Sequence, residues 1–119
     1  MTRIRVAING FGRIGRVFCR QMINNKSMQL VAINDIADVR SLCHLLKYDS
    51  VHRRFQGSVS HDEEYLFIND QKVKVCNIDK PENLPWKELN IDVVVESTGH
   101  FVTKEGAERH LKAGARKVV

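Results

Sequence analysis

The sequence predicts an α/β fold of the Rossmann-like, doubly wound type, in which a mainly parallel sheet carries an inserted β-hairpin. Residues Arg3 to Asn9 predict a short strand that has Ile4, Val6 and Ile8 on one face. Residues Met28 to Asn34 are nearly all apolar from Leu30 onward, as in a strand buried on both faces of a parallel sheet. Between them, from Arg13 to about Asn24, apolar residues recur at the helical spacings of three and four: Ile14, Val17, Phe18 and Met22.

The alternation of helices and strands continues along the chain. A second helix is predicted after Asp38, which can cap it, and residues 51–64 form a polar, turn-rich connection. Tyr65 to Ile68 and Lys72 to Cys76 flank a short turn and predict the antiparallel hairpin. Ile91 to Glu96 predicts a further buried strand.

The last predicted helix begins at Thr103, which can cap it, and ends at Gly114, which can close it. Residues 116–119 then begin another strand and are apolar at the end. Because natural termini usually lie at the surface, this ending predicts that the chain is cut from a longer protein.

Composition narrows the classes further. The 119 residues, 43% apolar and 28% charged, suit one globular domain and argue against a two-domain enzyme. Three widely spaced cysteines fit a reduced, cytoplasmic protein, and no segment is apolar enough for a membrane span or a signal peptide. Residues 1–60 hold ten Lys and Arg against three Asp and Glu, but no basic block occurs, so nucleic acid is a minor interpretation.

A glycine-rich loop follows the first predicted strand. Gly10, Gly12 and Gly15 have the G-x-G-x-x-G spacing of dinucleotide-binding loops, and Asp35 follows 20 residues after Gly15, at the end of the next strand. The three glycines would serve the tight turn, the close approach of backbone to a pyrophosphate, and close packing of helix on strand. The alternative is a structural glycine turn in which Asp35 only caps a turn.

The loop predicts a particular dinucleotide. The helix would offer unpaired N–H groups from about Arg13 and Ile14 to a pyrophosphate, and Asp35 would accept hydrogen bonds from the adenosine ribose. The residues after Asp35 are Ile36 and Ala37, so no Arg is present there to bind the 2′-phosphate of NADP, which would instead face a carboxylate. The prediction is therefore NAD rather than NADP.

Four motifs occur in the order NGFGRIGR, VAIND, LKYDS followed by His52, and VVVESTG. This series resembles the N-terminal cofactor domain of phosphorylating glyceraldehyde-3-phosphate dehydrogenase along essentially the whole chain. The related erythrose-4-phosphate dehydrogenase has the same architecture and is the alternative within this resemblance. The resemblance implies that residues 1–119 are an NAD-binding domain, incomplete at its C-terminus and truncated before a catalytic domain.

The resemblance also implies what the intact protein does: it would oxidise and phosphorylate glyceraldehyde 3-phosphate with NAD, as a homotetramer. It places Thr98 and Gly99 beside the adenosine, Phe101 near the adenine ring, and Asp79 at the adenine edge, where only the backbone carries over. The candidate cofactor-binding residues are Gly10, Phe11, Gly12, Arg13, Ile14, Gly15, Asp35, Asp79, Thr98, Gly99 and Phe101.

No catalytic residue is assigned within the chain. The family's nucleophile lies in a Ser-x-Cys-Thr-Thr-Asn segment that this sequence does not contain, so the chain is expected to be inactive alone. Cys43 and His44 are adjacent on a helix and point about 100° apart, so they cannot form a thiol–imidazole pair. The histidines lack metal-ligand spacing, and no metal is predicted.

Two alternatives outside this enzyme class stay open at this point. The chain could be a non-catalytic module that uses the same pocket, or its basic first half, to bind a nucleotide or nucleic acid. It could also be a piece that does not fold on its own, because missing neighbours would expose apolar sheet surface at Val118 and Val119.

Overall fold

In a computed structural model, the described residues, which are 3–23, 25–47, 59–69, 71–78, 80, 83–98 and 104–119, form one sheet with helices along the chain between its strands. The elements in chain order are β1 (Ile4–Asn9), α1 (Arg13–Met22), β2 (Met28–Asn34), α2 (Val39–Lys47), β3 (Val59–His61), β4 (Tyr65–Ile68), β5 (Gln71–Cys76), β6 (Val93–Glu96), α3 (Lys104–Lys112) and β7 (Lys117–Val118).

The sheet is parallel through its centre and antiparallel at one side. The strand order is β3-β4-β5-β2-β1-β6-β7, and β5, β2, β1, β6 and β7 all run in the same direction. The chain adds strands on one side of β1 first, with β2, and later on the other side, with β6, so the edge between β1 and β6 is the topological switch point. In doubly wound sheets a ligand binds at such a switch point, outside the carboxyl ends of the strands. The predicted fold class is confirmed.

Two apolar layers cover the two faces of this sheet. Val6 and Ile8 of β1 point to the face covered by α1 and α2, where they join Cys19, Leu42 and others in one core cluster. Ala7, between them, points to the opposite face and joins a second cluster. The second cluster also includes buried residues from the segment before β6, from β6 itself and from the turn after α3: Leu84, Trp86, Ile91, Val94, Ala113 and Ala115.

The predicted hairpin is present, and its second strand has a larger role than an insertion. β4 pairs antiparallel with β5, while β5 also pairs in parallel with β2, so β5 belongs to the central sheet. Asn69 makes the turn with a positive φ of 53°. A strand that the sequence did not predict, β3, pairs with β4 at the edge, within the segment interpreted as a loop.

The buried stripe of α1 agrees with the prediction except at its start. Met22 is buried and Phe18 is partly buried, as predicted, but Ile14 is 71% exposed. Gly15 and Cys19 complete the buried face. The helix lies so close to β1 that only a glycine, Gly15, fits between them. The spacing of apolar residues cannot reveal this contact, because glycine has no side chain.

The predicted helix ends are described in part. Asp38 caps α2, because its Oδ1 accepts a hydrogen bond of 2.8 Å from the Ser41 amide. Gly114 follows α3 with a φ of +117°, as a closing glycine does. The predicted end of α2 at residues 48–50 and the predicted cap at Thr103 lie outside the described residues. None of the described helices is long and apolar enough to cross a bilayer.

Candidate functional site

The glycine loop turns sharply at the carboxyl end of β1. Gly10 has a φ of +92°, a conformation that residues with side chains rarely adopt. Its amide donates to the carbonyl oxygen of Asn34 at 2.8 Å, which ties the loop to the end of β2. A Cβ on Gly10 would lie 2.6 Å from Thr98 Cγ2, so the loop also packs directly on the turn after β6.

Gly12 and Gly15 have opposite surroundings. Apart from Gly12 itself and the adjacent residues of the chain, no atom of the described structure lies within 4 Å of the position that a Cβ on Gly12 would take, so this glycine presents bare backbone to open space. A Cβ on Gly15 would overlap the Gly10 carbonyl oxygen and lie 3.2 Å from Ile8 Cγ2. Gly15 therefore permits helix-on-strand packing, whereas Gly12 leaves room for a group from outside the chain.

The N-terminus of α1 faces the same open space. The first helical hydrogen bond joins the Arg16 amide to the Gly12 carbonyl oxygen at 2.9 Å. Within the described residues, no side chain caps this helix, and its first turn holds no acidic residue. The first N–H groups of a helix lack intrahelical acceptors and carry the positive end of the helix dipole. Such an end attracts an anion, and nothing acidic in that turn repels one.

Asp35 is fixed across the crevice by the loop itself. Its Oδ2 accepts a hydrogen bond of 2.7 Å from the Phe11 amide, and its Oδ1 accepts one of 3.0 Å from the Ala37 amide. A carboxylate oxygen can accept more than one hydrogen bond, so each oxygen keeps capacity for another donor such as a hydroxyl. The side chain is half-buried beside Ile36, which is 91% exposed. The carboxylate is thus oriented by backbone donors.

The turn after β6 forms the other wall of the crevice. Ser97 Oγ donates to the Gly10 carbonyl oxygen at 2.6 Å, which joins this turn to the glycine loop. Glu96 Oε2 accepts hydrogen bonds from the amide and the hydroxyl of Thr98, at 3.0 and 2.7 Å. Burial raises the pKa of Glu96, but the hydrogen bonds from His110, Asn9 and Thr98 lower it more, to about 2. Glu96 is therefore a carboxylate at neutral pH.

The structure brings most of the predicted cofactor-binding residues to one place. The glycine loop and the start of α1, residues Gly10 to Gly15, lie at the crevice together with Asp35 and Thr98. Asp79, Gly99 and Phe101 lie outside the described residues.

Sequence reasoning missed a buried set of polar side chains beneath this crevice, which we call the polar row: Asn34, Asn9, Glu96, His110 and Trp86. The sequence pattern identifies Glu96 only as the end of a buried strand, and His110 only as one of the histidines that lack metal-ligand spacing. The available signal was that Asn9, Asn34 and Glu96 each end an apolar strand with a polar side chain.

The cysteines do not form a reactive site. All three are free and buried, and Cys43 lies beside the exposed His44 on α2, as predicted. Burial raises the pKa of Cys19 to about 12, and it raises the pKa of Cys43 and Cys76 as well. A thiol with a raised pKa is a poor nucleophile at neutral pH. Among the described residues, no group of His, Cys, Asp and Glu could hold a metal ion.

Comparison with known proteins agrees with this geometry. Residues 4–104 match the family model described as glyceraldehyde 3-phosphate dehydrogenase, NAD binding domain. The chain is 53% identical to the glyceraldehyde-3-phosphate dehydrogenase of Mycoplasma pneumoniae over 98% of its length, covering 34% of that protein. It is 51% identical to the enzyme of Thermotoga maritima over 97% of its length and 48% identical to that of Geobacillus stearothermophilus over 98%, covering 35% of each.

The chain thus spans about a third of the length of the relatives it matches. The matched part contains the glycine loop, Asp35 and the turn after β6, and the domain that it matches is one that binds NAD. The chain belongs to the glyceraldehyde-3-phosphate dehydrogenase family, in which it corresponds to the NAD-binding domain.

Proposed function

We propose that this chain holds NAD for a phosphorylating dehydrogenase that oxidises glyceraldehyde 3-phosphate and takes up inorganic phosphate. One observation carries the proposal: bare backbone at Gly12 faces open space beside an uncapped helix N-terminus, with the fixed carboxylate of Asp35 across the crevice. These are the parts that a dinucleotide needs, namely room for a diphosphate, N–H donors for its charge, and an acceptor for a ribose.

The proposal assigns the pyrophosphate to the loop and helix start. The amides of Gly12, Arg13 and Ile14 donate to its oxygens, while Gly10 and Gly15 give the loop its shape. Phe11 contributes through its amide, which holds Asp35 in orientation. In this assignment Ile14 acts through its backbone, which fits the 71% exposure of its side chain.

The adenosine half is assigned to Asp35, at the end of β2, and to the turn after β6. Asp35 accepts hydrogen bonds from the ribose hydroxyls, and the exposed Ile36 beside it offers an apolar contact instead of a cation for a 2′-phosphate. Thr98 and Gly99 lie beside the adenosine in this assignment. The family resemblance adds Phe101 near the adenine ring and the backbone of Asp79 at its edge.

The chemistry is divided between cofactor and protein. NAD, when bound, accepts a hydride from the substrate. Oxidation of an aldehyde to an acyl phosphate also needs a thiolate and a base, and the buried, high-pKa cysteines of this chain do not supply the thiolate. We therefore expect the chain alone to bind NAD without oxidising the aldehyde. A homotetrameric, cytoplasmic protein is the state that the family resemblance implies.

Isothermal titration calorimetry of the chain with NAD tests the proposal. Asp35→Ala is expected to weaken binding by about 1–3 kcal/mol, or about 5- to 150-fold, because it removes acceptors for buried hydroxyls. The matched control is Asp38→Ala, which removes a nearby carboxylate of equal charge and a cap of α2 but not a contact in the crevice. Equal weakening in both variants, or no weakening in Asp35→Ala, would contradict the assignment.

The same titration at increasing salt separates NAD binding from nucleic-acid binding. A single dinucleotide in a pocket responds weakly to salt, whereas binding through many phosphates weakens steeply. We expect a shallow dependence, and competition by NAD for any other ligand of the crevice. A steep dependence without such competition would favour a nucleic-acid-binding module.

A further inference from the structure

The polar row crosses the sheet directly below the proposed cofactor crevice. Asn34, Asn9 and Glu96 are the last residues of β2, β1 and β6, and they are neighbours in the sheet register. Asn9 and Asn34 are 2% and 5% exposed, and the side chain of Glu96 is 4% exposed. A polar set this deeply buried is costly unless its members satisfy one another.

The hydrogen bonds between side chains of the row run toward Glu96, while Asn34 Nδ2 also donates to the Ile78 carbonyl oxygen at 2.9 Å. On one side, Asn34 Nδ2 donates to Asn9 Oδ1 at 2.8 Å, and Asn9 Nδ2 donates to Glu96 Oε1 at 2.7 Å. The row begins at the amide of Ile78, which donates to Asn34 Oδ1 at 2.9 Å. A carboxylate accepts hydrogen bonds and donates none, so Glu96 is a natural end point for this series of donors.

The other side of the row approaches Glu96 from α3. Trp86 Nε1 can only donate, and it lies 3.0 Å from Nδ1 of His110. Nδ1 must therefore be the acceptor, which places the ring proton on Nε2. That nitrogen lies 2.8 Å from Glu96 Oε1 and donates to it. Both rings are fully buried, so Trp86 fixes the tautomer of His110 and the direction of its hydrogen bond.

The second oxygen of Glu96 leaves the row and points to the crevice. It accepts from both the amide and the hydroxyl of Thr98. Thr98 in turn lies so close to Gly10 that a Cβ there would be 2.8 Å from the Thr98 amide nitrogen. The position of Thr98 therefore depends on Glu96, and the glycine loop has Thr98 as its neighbour on that side.

We propose that Glu96 is a positioning residue of the cofactor site, which holds Thr98 against the glycine loop while the polar row holds Glu96. The inference rests on the proposed function, since it concerns the same crevice. In this proposal Asn9, Asn34, His110 and Trp86 support the cofactor site by holding Glu96, without contacting the cofactor themselves. It also means that α3 influences cofactor affinity from the interior, through His110.

Glu96→Gln tests the proposal with almost no change in shape. A glutamine side chain has one oxygen and one NH2 group, so whichever way it turns, the NH2 group faces donors that Glu96 accepts from, on Thr98 or on Asn9 and His110. We expect the affinity for NAD to fall about tenfold, the effect of one lost hydrogen bond to a charged group. Glu63→Gln, on an exposed turn, is the matched control and is expected to leave the affinity unchanged.

A second control distinguishes a specific effect on NAD binding from an effect of lower overall stability. Leu66→Val removes one buried methylene from β4 in the hairpin, away from the crevice. Affinities are compared at temperatures equally far below the melting temperature of each variant. The proposal expects weak NAD binding in Glu96→Gln only, with a shifted amide signal of Thr98 in the ¹⁵N spectrum. Equal losses in Leu66→Val and Glu96→Gln would overturn it.

Trp86→Phe provides a test that does not alter Glu96. It keeps an aromatic ring in the core and removes the indole N–H together with the five-membered ring. Nδ1 of His110 then loses its donor while Nε2 still donates to Glu96, so the ¹⁵N signal of Nδ1 is expected to shift. A His110 ring with unchanged signals, or a Glu96→Gln variant that binds NAD within twofold of the parent chain, would overturn the proposal.

Asp35→Ala distinguishes failure of this inference from failure of the proposed function. If Asp35→Ala weakens NAD binding and Glu96→Gln does not, the inference alone fails. If neither variant weakens NAD binding, the proposed function fails.

Discussion

Gly12→Ala should separate cofactor binding from folding. Gly12 has an extended backbone with a negative φ of −79°, so it does not need the left-handed conformation that favours glycine. Beyond the adjacent residues of the chain, nothing in the described structure lies within 4 Å of the new methyl group. Alanine is a poorer N-cap than glycine, but it also reduces the entropy of the unfolded chain. These effects oppose each other, so we expect the free energy of unfolding to change by less than about 1 kcal/mol.

The same methyl group would occupy the space through which a diphosphate approaches the backbone. Inserting a methyl group into a filled contact costs about 1–3 kcal/mol, so the affinity for NAD should fall about 5- to 150-fold. Urea unfolding and calorimetric titration of one preparation measure the two quantities together. A variant that binds NAD as tightly as the parent chain would refute the reasoning, because the diphosphate could not then lie against Gly12.

Gly15→Ala is expected to lower the free energy of unfolding, measured in urea, by about 1–3 kcal/mol, because its methyl group would overlap the Gly10 carbonyl oxygen. A Gly15→Ala variant as stable as the parent chain would contradict the packing described for α1. Acid should remove the stability that Glu96 contributes: its folded pKa of about 2 is below the ordinary 4.5, so the contribution is complete above pH 4.5 and is lost as the pH falls toward 2. The difference in pKa corresponds to about 3 kcal/mol. The difference in free energy of unfolding between the parent chain and Glu96→Gln should therefore become smaller as the pH falls from 4.5 toward 2. A difference that stays constant over this pH range would contradict the ionised, hydrogen-bonded state of Glu96.

The central parallel strands could be predicted because their patterns are local. Apolar runs identify β1, β2 and β6, and the glycine spacing with Asp35 identifies the switch point between them. Each of these signals lies within a short stretch of sequence and has a physical cause in burial or backbone freedom. These signals are therefore sufficient to predict the candidate site from the sequence alone.

Other features depend on contacts between distant segments. β3 has only three residues and forms because β4 offers it a partner, so its polar sequence does not identify it. Ile14 follows the helical apolar period but is exposed, since the close approach of α1 to β1 is made at Gly15. The polar row joins residues from β1, β2, β6 and α3, and no local pattern relates His110 to Asn9.

A titration of ¹⁵N-labelled chain with NAD, followed by amide chemical shifts, tests the central claim most directly. The account predicts that the amides of Phe11, Gly12, Arg13 and Ile14 shift and saturate together, because they bind the diphosphate or hold the carboxylate beside it. Saturation with those four signals unmoved, and shifts confined to the Lys72 and Lys74 face of the hairpin, would contradict it.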